Sequence, residues 1–233
     1  MIDFHSHILP GIDDGSKSTE ESLQMIGMLK KQGADTICAT SHYYADQNSP
    51  RRFLERRRKA YEALLEADPE LENSIVLGAE FLYYPGFSRM TELSGLCYSG
   101  TNLLLLEMPF QPWSRSSVQE ILDILQNGEY NILLAHIDRY LKFADPASLE
   151  LLRENGVYIQ MNASALNGLW AGSKALRLLR EGMVDAIGSD SHNMTNRAPN
   201  LDTAYAKIKA KLGPQFTEHF IQNEEQILRE CSI

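Results

Sequence analysis

Seven short apolar runs recur along this 233-residue chain, and six of them run straight into a histidine or a carboxylate. Ile2-Asp3-Phe4 leads into His5-Ser6-His7, Thr36 to Thr40 into Ser41-His42, Ile75 to Ala79 into Glu80 and Leu103 to Leu106 into Glu107. Ile132 to Ala135 then leads into His136, and Val184 to Gly188 into Ser189-Asp190-Ser191-His192, while Val157 to Met161 ends in Asn162. Between the runs lie segments with helical spacing. Strands that alternate with helices pair in parallel, and strands covered by helices read as continuous apolar runs. The pattern therefore predicts an α/β chain folded as one TIM-like barrel of seven βα units. In that architecture the C-terminal strand ends converge on a single mouth, where each of these polar residues falls. An open doubly wound sheet is the competing architecture, but it spreads its strand ends along a line and keeps the first run far from the last.

The residue types at the mouth point to metal chemistry. Side chains two apart on a strand share a face, so His5 and His7 can grip one ion, and Asp190 and His192 repeat the spacing. A lone strand-end histidine is more often a core or surface residue. Here five of the six histidines sit at strand ends together with Glu80, Glu107 and Asp190, and it is the set that signals a metal-dependent hydrolase. Mixed imidazole and carboxylate donors suit zinc, iron or manganese rather than calcium or a thiolate site.

Composition narrows the field. A hydrophobic content of 43% over this length supports one large core or two small ones, and the regular alternation favours a single domain over residues 1–233. No apolar stretch approaches the roughly 20 residues of a membrane span, and the N-terminus enters a strand without a signal-peptide core, so a cytoplasmic protein without membrane insertion is expected. The net charge of −9 argues against a nucleic-acid partner. Cys38, Cys97 and Cys231 lack metal-type spacing and read as reduced structural thiols.

Helices are predicted from Ser18, where Ser18 and Glu21 have capping-box spacing, to a stop at Gly33, and from Pro50 to about Ala67 with Phe53, Ala60, Tyr61 and Leu64 inward. Others are expected near Val118–Gln126, Pro146–Glu154, Ser173–Glu181, Leu201–Lys211 and Phe216–Glu230, the last carrying an inert His219. The basic cluster Arg51, Arg52, Arg56, Arg57 and Arg58 reads as a solvated face; its alternative use is to attract an anionic substrate.

The run Asp3-Phe4-His5-Ser6-His7-Ile8-Leu9-Pro10-Gly11-Ile12-Asp13-Asp14-Gly15 resembles the opening motif of the polymerase and histidinol phosphatase (PHP) superfamily. With Thr40-Ser41-His42-Tyr43, Gly78-Ala79-Glu80, Leu106-Glu107-Met108-Pro109-Phe110, His136-Ile137-Asp138-Arg139 and Ser189-Asp190-Ser191-His192-Asn193, it is similar in order and spacing to the capsule-type, manganese-dependent protein-tyrosine phosphatases of Gram-positive bacteria. The chain departs from that branch in Ser41, where proline is usual, and in Ile137-Asp138, where Pro-Glu is usual; Asn162 is given no role.

The resemblance implies a distorted seven-stranded barrel of PHP type around three divalent ions, manganese by expectation and iron or zinc otherwise. One ion falls to His5, His7, Glu80 and Asp190, and a second to Glu80 as a bridge with Glu107 and His136. The third falls to His42, His192 and one of Asp13 and Asp14, with Asp14 preferred. Arg139 and Arg197 match the branch's phosphate-binding arginines, a role that suits a planar, permanently charged fork. The chemistry expected of the ions is in-line attack on phosphorus by water that they deprotonate. No cysteine has an arginine six residues on, so a thiolate phosphatase of the C-x5-R kind is excluded. The expected partner is a phosphotyrosine protein, the tail of a bacterial tyrosine kinase governing capsular or extracellular polysaccharide synthesis, received by a rim of Tyr43, Tyr44, Arg51 and Arg52. A histidinol-phosphate-type phosphatase, an amide hydrolase and a non-catalytic metal-binding regulatory module are the competing readings.

Overall fold

The computed structural model describes residues 1–168 and 170–233, the side chains of residues 170 and 171 excepted. The apolar runs become strands β1 (Ile2–Ser6), β2 (Thr36–Ala39), β3 (His42–Tyr43), β4 (Ile75–Leu77), β5 (Glu80–Leu82), β6 (Leu103–Glu107), β7 (Asn131–Leu134), β8 (Tyr158–Asn162) and β9 (Ala186–Gly188). Two of the runs are broken, which turns seven into nine segments. The second is interrupted at Thr40-Ser41 and the third at Gly78-Ala79, where the Glu80 N–H donates to the carbonyls of both Thr40 and Ser41 at 3.1 Å. All pairings between these strands are parallel, in the orders β1-β2-β4 and β3-β5-β6-β7-β8-β9. The curl then returns to its start: Asp190 N–H donates to His5 O at 2.7 Å and His7 N–H to Ser191 O at 2.9 Å. The architecture is the single barrel that the alternation implied, in the distorted form that the resemblance implied, and an open sheet is not formed.

The helices begin where the sequence supplies caps. In α1 (Thr19–Lys31) the Ser18 hydroxyl accepts from Glu21 N–H, while Glu21 reaches back to Lys17 N–H, one residue beyond the capping-box partner. Gly33, at φ +94°, ends it in the left-handed conformation that glycine adopts without strain. Helix α2 (Pro50–Ala67) starts at Pro50 behind a Ser49 cap, and its buried face is Phe53, Arg57 and Leu64. The later helices are α3 (Arg115–Gln126), α4 (Ile137–Tyr140), α5 (Pro146–Glu154), α6 (Trp170–Arg180), α7 (Leu201–Leu212) and α8 (Pro214–Glu230). Helix α4, a single turn directly after β7, has no counterpart in the expected set. Among the described residues no helix is long and apolar enough to cross a membrane.

Alternation along the strands divides the apolar residues between two cores. Leu104 and Leu106 of β6 pack with the helices, whereas Leu103 and Leu105 join Phe4, Cys38, Leu133 and Ala186 in a smaller cluster enclosed by the curled sheet. Glu107 continues the parity of Leu103 and Leu105, so period-2 geometry alone carries its carboxylate over the enclosed core to the mouth.

Candidate metal centre

Two of the mouth residues leave regular backbone. His136 has φ +29° and Asp190 φ +51°, and among the described residues they are the non-glycine positions with positive φ. His136 follows Ala135 of the enclosed core, so strict alternation would turn its ring outward. The changed backbone turns it back, at a cost on the order of 1–3 kcal/mol that the surrounding hydrogen bonds must offset. Those bonds are present. The His136 N–H donates to Gln160 Oε1 at 2.6 Å, Gln160 Nε2 donates to Asn162 Oδ1 at 3.1 Å, and Asn162 Nδ2 donates to Asp190 Oδ2 at 2.9 Å.

The centre is built around Glu80, which is 1% exposed. Its Oε2 lies 3.2 Å from His5 Nε2, 3.2 Å from His7 Nε2 and 2.9 Å from His42 Nδ1, and its Oε1 lies 2.8 Å from His136 Nε2. Glu107 adds an oxygen 3.4 Å from His136 Nε2. Asp190 Oδ1 stands 3.8 Å and 3.6 Å from the same His5 and His7 nitrogens, which face each other at 3.1 Å. Asp14 completes the outer edge, 3.5 Å from His42 Nε2 and 3.4 Å from His192 Nε2. Three groups have their candidate donor atoms mutually within 4.8 Å: His5, His7 and Asp190; His42, Glu80 and Glu107; and His7, Asp14, His42 and His192.

The neighbouring Asp13 is turned to a different task. Its Oδ2 accepts from His7 Nδ1 at 2.8 Å and from His42 N–H at 2.9 Å, and its Oδ1 accepts from Gly15 N–H. A carboxylate behind the second ring nitrogen fixes the tautomer of a ligating histidine and raises its basicity. Gly15 permits this closeness, because a Cβ there would overlap the His7 backbone carbonyl. The resemblance preferred Asp14 of this pair; here Asp14 faces His42 and His192, and Asp13 faces the second ring nitrogen of His7.

Protonation follows from these contacts. Burial opposes ionisation of Glu80, yet the close imidazoles of His5, His136 and His42 hold it well below the ordinary carboxylate range. Burial likewise opposes charge on Asp190, and His5, His7 and Arg139 outweigh it. His7 is disfavoured as a cation by burial but held up at about 10 by Asp13 and Glu80, and His136 at about 9 by Glu107 and Glu80. Burial and the facing His7 push His192 down to about 3. With the imidazoles neutral, as ligating histidines must be, the carboxylates of Asp13, Asp14, Glu80, Glu107 and Asp190 outnumber the guanidinium groups of Arg139 and Arg197, leaving a negative well.

The donor set fits divalent cations. Glu80 Oε2, His42 Nδ1, His136 Nδ1 and His192 Nε2 are buried without a hydrogen-bond partner among the described residues, a costly state for protein polar atoms unless another group meets them. Softer donors are not at hand: Cys38, Cys97 and Cys231 are free thiols buried in the cores, and burial drives the Cys97 thiol up to about 12.

Both arginines reach this site. Arg139 pairs with Asp190 Oδ2, and Arg197 Nη2 donates to Asp190 Oδ1 at 2.8 Å, each guanidinium side chain being 35% exposed. The expected aromatic and basic rim is partly absent. Tyr43 is core, packed on Phe53 and Phe81, because the residue after inward-facing His42 must face outward. Tyr44 does border the site, stacked on His42 at 5.2 Å. Arg51 pairs with Glu55 and Arg58 with Glu62 on the surface, but Arg56 donates to Ile12 O and buried Arg57 to Gly78 O and Gly95 O, so that cluster is not uniformly a solvated face. Sequence reasoning missed Gln160 and the connecting position of Asn162. The signal was there, two polar residues at i and i+2 inside an apolar strand.

Comparisons with known proteins agree with this geometry. The family described as capsular polysaccharide synthesis, CpsB/CapC, matches residues 1–229. The chain is 28% identical to the tyrosine-protein phosphatase YwqE of Bacillus subtilis over all of its own length and 93% of that protein's. It is likewise 28% identical to the tyrosine-protein phosphatase CpsB of Streptococcus pneumoniae, with both chains covered in full. Among solved structures it superimposes with a TM-score of 0.84 and 26% identity on a chain from crystal structures of YwqE from Bacillus subtilis and CpsB from Streptococcus pneumoniae, unique metal-dependent tyrosine phosphatases, covering 100% of this chain and 96% of that one.

Proposed function

The chain belongs to the capsular polysaccharide synthesis family CpsB/CapC and is a metal-dependent tyrosine phosphatase; from that premise we propose which ions its site holds, how its residues act and on what. Residues 1–233 act as one metallophosphatase domain holding three ions, manganese in the working enzyme. His5, His7, Glu80 and Asp190 hold the first; Glu80, shared, holds the second with Glu107 and His136; His42, His192 and Asp14 hold the third. When bound, the ions supply a water acidic enough to attack phosphorus at neutral pH and offset charge on the phosphoryl oxygens.

The protein's own contribution is placement. Asp13 and Gln160 orient the His7 and His5 rings, and Asn162 holds Asp190, so the donors stand ready without rearrangement. Arg139 and Arg197 bind the phosphate from the side of Asp190, each with donors to spare beyond its bond to that carboxylate. The leaving group is a phenolate of pKa about 10, which needs less protonation than an alkoxide, and no side chain is assigned as its acid. The substrate is a phosphotyrosine protein, the tyrosine kinase that governs polysaccharide synthesis, and the place of action is the cytoplasm.

The observation that carries this reading is the convergence of four histidines and four carboxylates in mutually close donor groups, with His136 against Glu80 and Glu107 and with orphaned donor atoms, in a chain of this family. Its test is hydrolysis of p-nitrophenyl phosphate and of a phosphotyrosine peptide after chelation and stepwise return of manganese. Activity is expected to vanish with chelator and return as bound manganese approaches three per chain. Full activity in the chelated protein, or none at any manganese content, would refute it.

A further inference from the structure

Beyond Arg139 the mouth opens into a cleft of about 520 Å³ lined by Phe110, Asp138, Arg139, Lys142, Phe143 and Lys174, among others. These residues come from successive connections: Phe110 after β6, Asp138 to Phe143 after β7 and Lys174 from α6 after β8. Phe110 is 50% exposed, whereas nearly all large apolar side chains among the described residues are covered. Its ring is nonetheless fixed, stacked on His136 at 6.0 Å and 18° and on buried Tyr140 at 5.4 Å and 27°. An apolar ring held open to water beside the catalytic mouth is a platform for another ring.

The charge of the cleft runs against that of the molecule. The chain carries a net charge of −9, yet Arg139, Lys142 and Lys174 meet on this wall. Lys142 and Lys174 are exposed, and neither has an ion-pair partner among the described residues. The Lys142 ammonium lies 4.8 Å from the centre of the Phe143 ring, which holds it in the cleft. The acid of this wall, Asp138, is half-buried, and its Oδ1 accepts from Asn162 N–H at 3.0 Å.

Resting on the phosphatase reading above, we propose that this cleft is the specificity subsite of the enzyme. Phe110 receives the face of the phosphotyrosine ring, and Lys142 and Lys174 bind a carboxylate of a residue flanking that tyrosine. The enzyme therefore selects phosphotyrosine in acidic segments.

The test compares kcat/KM of the manganese-loaded protein on three phosphotyrosine peptides identical except for flanking Glu, Gln or Lys. The native protein should favour Glu over Gln by about tenfold, mostly through KM, the scale of two exposed ion pairs. Lys142→Glu with Lys174→Glu should reverse the order in favour of the Lys-flanked peptide, and Lys174→Ser alone should shrink the preference. Phe110→Ala should lower kcat/KM for all three peptides and keep their order. A native enzyme indifferent to the flanks, or a doubly reversed variant that still prefers Glu, overturns the subsite while the phosphatase stands. No hydrolysis of any peptide or of p-nitrophenyl phosphate by the native protein overturns both.

Discussion

At the mouth of the barrel Glu80 and Asp190 are withdrawn from water and held ionised, whereas Asp3 and Glu224, each fully buried, are pushed the other way, to about 6 and about 8. Burial opposes the charged form in all four. The partners decide the outcome. Glu80 and Asp190 face imidazoles and guanidinium groups, while Asp3 accepts from Ser189 N–H and hydroxyl at 2.7 and 2.6 Å, and Glu224 from Ile187 N–H and Tyr205 hydroxyl at 2.9 and 2.6 Å. Neutral donors satisfy a carboxylate without outweighing its desolvation; cationic ones do. One carboxylate pair is thus prepared for cations and the other serves as a structural acid.

The largest expected break in this contrast is Glu80→Ala. Removing a carboxylate proposed to be shared by two ions should lower bound manganese and reduce kcat/KM by about a thousandfold, since an ion in such a site supplies several kcal/mol of transition-state stabilisation. Metal content by elemental analysis and turnover should fall together. Glu224→Gln, equally buried but remote from the site, should change neither. A Glu80→Ala protein with native metal and turnover removes Glu80 from the centre.

The second break is one of pH. The folded chain holds the Glu224 proton up to about 8, against an ordinary value of 4.5, so the folded state binds more protons than the unfolded across that window and stability falls as pH rises through it. Asp13, lowered by His7 and its backbone donors against the opposing pull of burial, has the opposite sign: its contribution is present above the ordinary 3.8 and lost as pH falls. Glu224→Gln keeps an acceptor for Ile187 N–H and a polar partner for Tyr205 while abolishing the titration. The variant should be more stable than the native protein by on the order of 4 kcal/mol at pH 8 and indistinguishable from it at pH 4, in urea unfolding of the chelated proteins. An equal gain at both pH values would assign the effect to packing instead.

How much of this was legible in the sequence follows from what period-2 alternation can carry. It places Glu107 above the enclosed core, because nothing interrupts that strand, but it does not by itself place His5, which follows Phe4 of the enclosed core and sits where the β1 register shifts between Asp3 and Ser6. It also assigns Tyr43 to the core once His42 faces the mouth, against the rim expected of it. Alternation cannot foresee His136 and Asp190, whose positive φ values redirect them; there the residue type, at the end of an apolar run, was the readable signal. Between Asp13 and Asp14 the sequence supported only a preference for Asp14, because the two turn positions differ only in which nitrogen each carboxylate meets. The Phe110 cleft depends on three connections meeting, and no single stretch of sequence records it.

The smallest expected effect sharpens the comparison at Asp190, the one of the four carboxylates that engages two guanidinium groups, Arg139 on one oxygen and Arg197 on the other. If the arginines served only to hold Asp190 ionised, removing either would loosen the ion that Asp190 is proposed to bind. If they serve the phosphate, metal content should survive and catalysis should not. The histidines around Asp190 already favour its charged form, and both guanidinium groups remain partly open to solvent, which supports the second course. Arg139→Ala and Arg197→Ala should each retain native manganese and lose about 10- to 100-fold in kcat/KM, the scale of a charge-assisted phosphate contact of about 1.5–3 kcal/mol. Arg→Lys at either position keeps the charge but not the planar fork, and should fall between native and alanine. A loss below about threefold, or a loss of activity that only tracks lost manganese, would return both arginines to the carboxylate and leave the phosphate without its proposed clamp.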